Sequence, residues 1–440
     1  MAALLERSFI EICGFERETL HRFKEITVDL GLSSLPGGTR YPDCAGGFHY
    51  EENGKLLSIT SNRFIHWSAS GDSVQLVEQS LDTNLLNNAV RLQFVHCSVL
   101  PGGVHIQETL NNVVVLIATN RSVHRLLLPH PSCMYRSELV VELQMQSVFT
   151  DVGKLNLQDP AHGAILPMPA GQTAAPCAAT AWLSRQGQAH YALTSRTGGI
   201  LVNTLPPSDT LGGLSVVELK RSTVMQKLAG WMPTAIRGEQ LPGDLALCLA
   251  VRELEDDSFL FALCQDHKLR MWSLREQSCL MEADMLDYMP ACKGGWRATG
   301  LCLAVYLAAP QSGQFTVLQL VATDNNRYSL DHISSLFSTQ ETLVDFALTS
   351  TDIWAVWMDD SNATIVKYIN YEHNTAGQWN QVFVQPPPEE EVHIGVDQDP
   401  RETYLDVLFS PLRFTASAIV KALQIYRRGT ERIIDLPGRH

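Results

Sequence analysis

The feature that most constrains this chain is a strand, tight turn, strand pattern that recurs six times. In most copies an apolar run is followed by a short polar turn, such as Asp266-His267-Lys268, and then by a second apolar run. Hairpins with one packed face cannot stand alone, so a regular series of them predicts sheets stacked around an axis, as in a β-propeller. The six copies occupy residues 56–67, 113–128, 190–205, 259–272, 301–322 and 353–369.

The spacing of these hairpins predicts a propeller with insertions. The hairpins recur roughly every 60 residues, whereas a standard WD-type blade takes ~40–45 residues. Three segments between them fit a 3.6-residue period as well as a strand, and we expect helices or long loops on the rim there. These segments are residues 136–149, 214–228 and 330–343.

Composition excludes several classes of protein. With 440 residues, 45% of them hydrophobic and 18% charged, the chain can bury a large core. Its formal net charge is −14, and no run of lysine or arginine exceeds two residues. Because a grip on phosphate backbones needs a basic patch, we expect no direct nucleic-acid binding.

The cysteines and the N-terminus indicate a reducing compartment. The ten cysteines are scattered and never form a Cys-x-x-Cys pair. The first residues include an acid and a base where a secretory signal would be apolar, and no stretch approaches the ~18 apolar residues of a membrane span. We therefore expect a cytosolic or nuclear protein.

The sequence contains no recognisable catalytic or ligand-binding motif. It has no nucleotide-binding glycine loop, zinc or calcium motif, or serine-hydrolase elbow. Carboxylate pairs such as Asp256-Asp257 and Asp359-Asp360 fall in predicted turns, where neighbouring side chains diverge rather than meet at a substrate. We expect no catalytic, cofactor or metal site, and no enzyme activity.

One hairpin, residues 259–272, admits two interpretations. It is either a blade that reads a peptide or a purely structural hairpin. In the second case Asp266 and His267 close the turn, and Trp272 packs between blades.

A segment rich in serine and threonine, residues 331–340, also admits two interpretations. As an amphipathic helix it would place Ile333, Leu336 and Phe337 together. Such a helix either inserts into a curved bilayer as a lipid-packing sensor, with weak membrane contact, or covers the propeller rim.

The organisation changes near residue 390. Three prolines followed by three glutamates, residues 386–391, mark a boundary. We divide the chain into a propeller with inserted helices, residues 1–395, and the first helices of an α-helical domain, residues 396–440. Two amphipathic helices are expected, one opening at Asp399-Pro400 and one over residues 415–428, and their apolar stripe docks either a partner or the body of this protein. The predicted interaction surface consists of Tyr404, Leu405, Leu408, Ile419, Leu423 and Tyr426.

Long blocks of the sequence resemble a known family. Among them are Asn62-Arg63-Phe64-Ile65-His66-Trp67 and Gly230-Trp231-Met232-Pro233. The chain resembles the N-terminal propeller region of the vertebrate nucleoporins of the one-hundred-sixty-kilodalton class, which belong to the Y-shaped outer-ring scaffold of the nuclear pore. The matching blocks are residues 62–67, 126–131, 134–139, 230–238, 262–273, 326–337, 347–355, 421–425 and 428–432.

The resemblance implies a mostly β protein, a seven-bladed β-propeller with helical insertions followed by the start of an α-helical domain. The seventh blade would need N-terminal strands within residues 9–13 and 26–30. The implied function is structural: a scaffold subunit that supports pore assembly, mRNA export and protein transport through protein contacts.

The resemblance also implies partners and a location. The partners are other nucleoporins of the Y-shaped complex, including a small WD-repeat nucleoporin, and a chromatin-binding nucleoporin. The location is the nuclear pore at the nuclear envelope, with kinetochores in mitosis as a further one. A subunit of a vesicle coat, which shares the propeller-plus-helices plan, is the alternative.

Overall fold

The structure is a computed structural model, and most of the chain is described in it. The described residues are 9–10, 22–34, 41–50, 63–80, 84–134, 144–167, 176–194, 199–219, 245–254, 257–288, 302–308, 313–323, 327–338, 341–372, 377–382, 384–385, 394, 398–409, 419, 423 and 427.

Strands dominate the described residues. Up to residue 130 the strands are β1 (Phe9–Ile10), β2 (Lys24–Val28), β3 (Cys44–Tyr50), β4 (Arg63–Ser70), β5 (Ser73–Ser80), β6 (Asn84–Leu86), β7 (Ala89–Phe94), β8 (Val99–Glu108), β9 (Asn112–Thr119) and β10 (Ser122–Pro129). Up to residue 254 they are β11 (Gln144–Gln146), β12 (Gly163–Ile165), β13 (Ala179–Leu183), β14 (Ala189–Thr194), β15 (Ile200–Leu205), β16 (Ser215–Leu219) and β17 (Ala246–Leu254). The remaining strands are β18 (Asp257–Cys264), β19 (Lys268–Ser273), β20 (Ser278–Asp284), β21 (Cys302–Leu307), β22 (Gln314–Thr323), β23 (Arg327–Phe337), β24 (Thr342–Leu348), β25 (Asp352–Met358), β26 (Thr364–Asn370), β27 (Asn380–Gln381) and β28 (Val384–Gln385). The α-helices are α1 (Pro131–Met134) and α2 (Pro400–Phe409), and short 3-10 turns lie at Val152–Lys154 and Met285–Tyr288.

The described strands form six sheets of three to five strands and two separate short pairs, of two and three residues. In order of hydrogen bonding, sheet 1 is β2-β7-β5-β4-β3, sheet 2 is β12-β10-β9-β8, sheet 3 is β13-β14-β15-β16, sheet 4 is β17-β18-β19-β20, sheet 5 is β21-β22-β23 and sheet 6 is β24-β25-β26-β27. Parallel pairs join β1 to β28, β6 to β11 and β2 to β7. Every other adjacent pair with a recorded register is antiparallel, which is the meander of a propeller blade.

The chain divides into two compact units. The larger comprises residues 17–290 and 321–330 and holds sheets 1 to 4. The smaller comprises residues 1–16, 291–320 and 331–440 and holds sheet 6 with most of sheet 5. Within the described residues, no helix is both long enough and apolar enough to cross a bilayer.

Five of the six predicted hairpins are confirmed. They are the pairs β9–β10, β14–β15, β18–β19, β21–β22 and β25–β26. In the remaining hairpin, predicted at residues 56–67, residues 56–62 lie outside the described residues, and Arg63 is the first residue of β4.

The prediction of seven blades is wrong, since the described residues form six. The N-terminal strands expected to build the seventh blade pair elsewhere. Strand β2 adds in parallel to the edge of sheet 1, where Ile26 lies opposite Leu92, and β1 is only two residues long and pairs with β28. A parallel pairing across more than 60 residues leaves no local signal, so the apolar pattern of β2 could not reveal its partner.

The segments expected to be helices or long loops are mostly strand where the structure describes them. Residues 330–343 lie mostly in β23 and β24, residues 215–219 are β16, and residues 144–146 are β11. Residues 135–143 and 220–228 lie outside the described residues. Short apolar runs fit both periods, and here pairing with a neighbouring strand determined the conformation.

The core lies between neighbouring sheets, because strands of the larger unit bury both faces. In β9, Val115 and Ile117 pack with sheet 1, whereas Leu116 and Ala118 pack with sheet 3. In sheet 3 the same alternation sends Tyr191 towards sheet 2 and Ala192 towards sheet 4. Successive side chains of a strand point to opposite faces, so one strand contributes to two cores at once. In the smaller unit, Phe315 and Val317 of sheet 5 pack with Ile353, Ala355 and Trp357 of sheet 6.

A buried ion pair holds the segment after β11 against sheet 1. Arg63 Nε lies 3.0 Å from Glu78 Oε1, and the two side chains are 5% and 2% exposed. The other oxygen of Glu78 accepts hydrogen bonds from Ser147 Oγ (2.5 Å) and Val148 N (2.8 Å). Arg63 also donates to the carbonyl of Gln146 at 3.0 Å. Burial raises the pKa of Glu78, and the Arg63 guanidinium opposes that shift.

A buried histidine lies at the centre of sheet 2. His124 is 1% exposed, its Nε2 lies 2.8 Å from Ser122 Oγ, and its ring centroid is 4.8 Å from that of Phe94. Its Nδ1 has no hydrogen-bond partner among the described residues. Burial lowers the pKa of His124 from 6.5 to about 3, so the ring is neutral at physiological pH.

The substitution E78Q tests the buried ion pair. It removes the carboxylate that pairs with the buried Arg63 guanidinium, and we expect a loss of about 3–5 kcal/mol in the free energy of unfolding. The matched control is E25Q, which breaks the exposed Glu25–Arg91 pair (2.6 Å) and should cost less than about 1 kcal/mol. Thermal and urea unfolding measure both. Equal losses in the two variants would contradict the assigned role.

His124 should make the protein sensitive to acid. Its folded-state pKa is about 3, below the unfolded value, so the unfolded chain takes up a proton first as the pH falls. Stability is therefore complete above pH 6.5 and declines below it by about 1.4 kcal/mol per pH unit from this group, until about pH 3. The measurement is the thermal midpoint between pH 7.5 and pH 5. In H124Q the midpoint should change less over that range, and an unchanged slope would exclude His124 as a source of the acid sensitivity.

Candidate interaction surfaces

The C-terminal helix α2 begins where the sequence predicted it. Asp399 precedes the helix, and its Oδ1 accepts a hydrogen bond from the backbone N–H of Arg401 at 2.9 Å. Pro400 occupies the first helical position, where a missing N–H costs nothing, and Glu402 lies in the first turn. The helix therefore has a defined N-terminus.

The predicted apolar residues of α2 share one exposed face. Tyr404, Leu405 and Leu408 are 51%, 51% and 41% exposed. Sequence reasoning missed Phe409, which is 66% exposed and follows Leu405 by four positions. The i, i+4 spacing is the signal that could have identified it.

The second predicted helix is described at only three positions. Ile419 is half-buried, Leu423 is exposed, and both are helical, as is Arg427. Tyr426 lies outside the described residues. The combined surface of six residues therefore stays a prediction.

The segment proposed to sense lipid packing is a strand, which corrects its predicted helical conformation. Ile333, Leu336 and Phe337 belong to β23. Leu336 is buried against sheet 6 and Ile333 packs beside it, whereas Phe337 is 52% exposed. Leu336 and Phe337 are consecutive in the strand, so their side chains point to opposite faces. The three residues therefore do not form one membrane-inserting stripe. Membrane contact by this segment stays a prediction, although the amphipathic helix from which it was inferred does not form.

The hairpin of residues 259–272 has the turn and the packing expected of a structural hairpin. His267 closes its turn with φ of 63°, and Asp266 accepts a hydrogen bond from the backbone of Lys268. Asp266 also pairs with Arg270 at 2.5 Å. Trp272 is buried between sheets 3 and 4, as predicted.

Two carboxylates of the predicted turn pairs, Asp359 and Asp257, hold turns. Asp359 Oδ1 accepts hydrogen bonds from the backbone of Ser361 (2.9 Å) and Ala363 (2.8 Å), which closes the turn between β25 and β26. Asp256 lies outside the described residues, and Asp257 holds the turn between β19 and β20. Across the described part of the chain, no three histidine, cysteine or carboxylate groups are placed to bind one metal ion.

A cleft with a volume of about 430 Å³ lies between sheets 3 and 4, and sequence reasoning did not find it. Its floor is apolar and consists of Val202, Val217, Leu219 and Leu274. These four side chains belong to the core between the two sheets or pack against it. The floor is therefore continuous with the core between the two sheets.

The sheet 3 side of the cleft is fixed by a buried arginine of sheet 2. Arg125 is 1% exposed and donates through Nη1 to the carbonyls of Pro206 (2.7 Å) and Gly187 (3.3 Å). Gly187 lies in the turn between β13 and β14, next to the cleft residues Arg185 and Gln188. One guanidinium thus sets the position of the turn that carries Arg185.

A histidine lines the same side without adding charge. The His190 ring stacks on Trp182 with centroids 4.9 Å apart, and its Nδ1 lies 2.8 Å from Thr204 Oγ1. Burial lowers the pKa of His190 to about 4. The ring is therefore neutral at physiological pH.

The sheet 4 side of the cleft is fixed by Asp257. Its Oδ1 accepts hydrogen bonds from the backbone of Ser258 (2.8 Å) and Arg275 (3.0 Å), and its other oxygen accepts one from the Ser273 hydroxyl. Leu274 N also donates to the Ser258 carbonyl at 3.1 Å. This carboxylate is used in holding the turn between β19 and β20, which carries Arg275.

Three charged cleft residues are left available for a ligand. The guanidinium groups of Arg185 and Arg275 are exposed, and the Glu253 carboxylate is half-buried. None of the three forms an ion pair or a side-chain hydrogen bond with another described residue. The Arg-Gln-Gly turn at 185–187 is recognisable in the sequence, but its meeting with a turn about 90 residues later is not.

Comparison with known proteins places the chain in a family. Residues 63–438 match the family described as nucleoporin Nup120/160, beta-propeller domain. The chain is 60% identical to nuclear pore complex protein Nup160 of Mus musculus and 59% identical to that of Homo sapiens, in each case over 99% of this chain and 32% of the relative. It is 26% identical to the Nup160 homolog of Drosophila melanogaster over 92% of this chain and 29% of that protein. The chain thus spans about a third of the length of these relatives. It belongs to the Nup120/160 nucleoporin family and carries the β-propeller domain of that family.

Proposed function

We propose that this protein is a structural scaffold subunit of the nuclear pore complex, located at the nuclear envelope. In this role it belongs to the Y-shaped outer-ring complex and supports pore assembly, mRNA export and protein transport through protein contacts, without catalysis. Its partners would be other nucleoporins of that complex, including a small WD-repeat nucleoporin, and a chromatin-binding nucleoporin. The observation that carries the proposal is the 60% identity over 99% of the chain to a protein named for the nuclear pore complex.

The packing of the propeller supports a scaffold function. Strands such as β9 bury both faces, so partners are left with turns, sheet edges and helices. These surfaces are held by buried cores, and binding to them orders few groups and therefore loses little conformational entropy. Contact surfaces held by buried cores are suited to holding several proteins in fixed positions.

The C-terminal residues supply one contact surface in this proposal. We assign residues 1–395 to the propeller and 396–440 to the beginning of an α-helical domain, of which α2 is the first helix. The exposed apolar face of Tyr404, Leu405, Leu408 and Phe409 is the part of that domain suited to protein contact.

Affinity isolation of the full-length protein from cells tests the proposal. Tagged protein should recover nucleoporins of the Y-shaped complex at both low and high salt, because a structural subunit has large apolar interfaces that salt does not screen. A fluorescent fusion should label the nuclear rim. Recovery of vesicle-coat subunits in place of nucleoporins, or a cytoplasmic vesicle pattern, would contradict the proposal.

The face of α2 makes a separate prediction. The double substitution Leu405→Ser and Leu408→Ser removes exposed apolar area, so it should reduce partner recovery at high salt severalfold while changing the thermal midpoint little. The matched control is Glu402→Gln, a polar change in the same helix, which should leave recovery unchanged. Equal recovery for all three proteins would show that this face is not a contact surface.

A further inference from the structure

We propose that the cleft between sheets 3 and 4 binds an extended peptide segment of a partner protein in which acidic and aliphatic residues alternate. The inference rests on the volume, floor and charges of the cleft, and it adds a defined ligand to the proposed scaffold function. The site lies wholly within the larger unit and is formed from the turns of two neighbouring sheets.

The floor selects for aliphatic side chains. Val217 and Leu274 are half-buried at the base of the cleft, above the fully packed Val202 and Leu219. A volume of about 430 Å³ lies within the range of pockets that bury a small ligand. One or two aliphatic side chains entering it would replace water against this apolar surface.

The charges select for acidic residues beside those aliphatic ones. Arg185 and Arg275 approach the cleft from the sheet 3 and sheet 4 sides, while Glu253 is the one carboxylate among the described lining residues that is not engaged in holding a turn. With Asp257, whose carboxylate is hydrogen-bonded to its own turn, the described lining has two guanidinium groups, two carboxylates and no net charge, so an acidic ligand is attracted by the two exposed guanidinium groups themselves. Guanidinium groups bind carboxylates through paired hydrogen bonds, so a segment with acidic residues flanking an aliphatic one complements this site.

The site is pre-organised. Arg125 holds the turn next to Arg185 through the carbonyls of Gly187 and Pro206, and Asp257 holds the turn of Arg275 through its backbone N–H. The two arginines project from backbone that is already fixed, which reduces the entropy lost when a peptide binds. This separates the cleft from an accidental gap between surface side chains.

The test is fluorescence anisotropy with the purified 440-residue chain. The probe is a fluorescein-labelled peptide in which aspartate or glutamate alternates with leucine or valine. We expect saturable binding that is lost with two control peptides, one with lysine in place of the acidic residues and one with serine in place of the aliphatic residues. Absence of saturation up to millimolar protein, or equal binding of the lysine peptide, would overturn the proposal.

Matched variants assign any binding to the cleft. R185E and R275E should each lower the affinity for the acidic probe by about threefold to tenfold. E253Q should raise that affinity by about twofold, because it removes a carboxylate that repels the acidic residues of the probe. The control R252E changes the neighbouring residue of β17, which points to the opposite face, and should alter the affinity less. On the floor, V217T should weaken binding, whereas V216T on the outer face of β16 should not.

Two results would overturn the location of the site: cleft variants that bind like R252E and V216T, or E253Q that weakens the acidic probe. All variants should keep the parent thermal midpoint within a few degrees, since the exchanged side chains are exposed or isosteric. This outcome is independent of the affinity isolation above. Peptide binding can succeed while the isolated protein recovers no nucleoporin, and it can fail while the nucleoporins are recovered.

Discussion

Burial of both faces of a sheet is the constraint on which this structure depends. In β9 the residues Val115 and Ile117 face one neighbouring sheet while Leu116 and Ala118 face the other, and all four are inaccessible to solvent. A sheet covered on two sides has no stable existence by itself, because its apolar faces would meet water. Sheets 1 to 4 must therefore fold as a set, and a change in one strand is felt in two cores. The buried Arg63–Glu78 pair and the neutral His124 are polar groups that this packing tolerates only because hydrogen bonds or lost charge compensate for burial.

The same constraint separates the residues that stabilise the protein from those that can recognise another one. Most strand side chains of the larger unit pack in a core. The residues that can contact another protein therefore lie mainly in turns, at sheet edges and on α2. Turns are usually adaptable, but here two of them are fixed from below by Arg125 and Asp257. A scaffold gains from this arrangement, since its contact residues are held by the cores that keep it rigid.

The sequence predicted the local structure well and the long-range pairing poorly. The hairpin turn at Asp266 and His267 and the start of α2 at Asp399 depend on residues close in the chain, and both were correct. The burial of Trp272 was also correct, because a large apolar residue at a hairpin end favours packing whichever sheet is its neighbour. The seventh blade failed because β2 joins β7 in parallel, a pairing set by tertiary contacts alone. The helix or long loop expected at residues 330–343 is mostly strand. A short apolar run is compatible with the helical and the strand period, and pairing with a neighbouring strand determines which one forms. The cleft was missed for the same reason, since Arg185 and Arg275 meet only in the folded chain.

The net charge and the cleft arginines act over different distances. The charge of −14 repels an acidic segment during its approach, although at physiological ionic strength this repulsion is screened beyond about 8 Å. Arg185 and Arg275 attract it only near contact. Added salt therefore has two opposite effects: it speeds association by screening the repulsion, and it speeds dissociation by weakening the ion pairs. A purely acidic ligand would gain too little binding free energy from the two arginines to overcome the repulsion. A ligand that also places an aliphatic side chain against Val217 and Leu274 gains hydrophobic binding free energy, which salt does not weaken. Two exposed arginines beside an apolar floor on an acidic protein thus select for mixed acidic and aliphatic segments and against purely acidic ones.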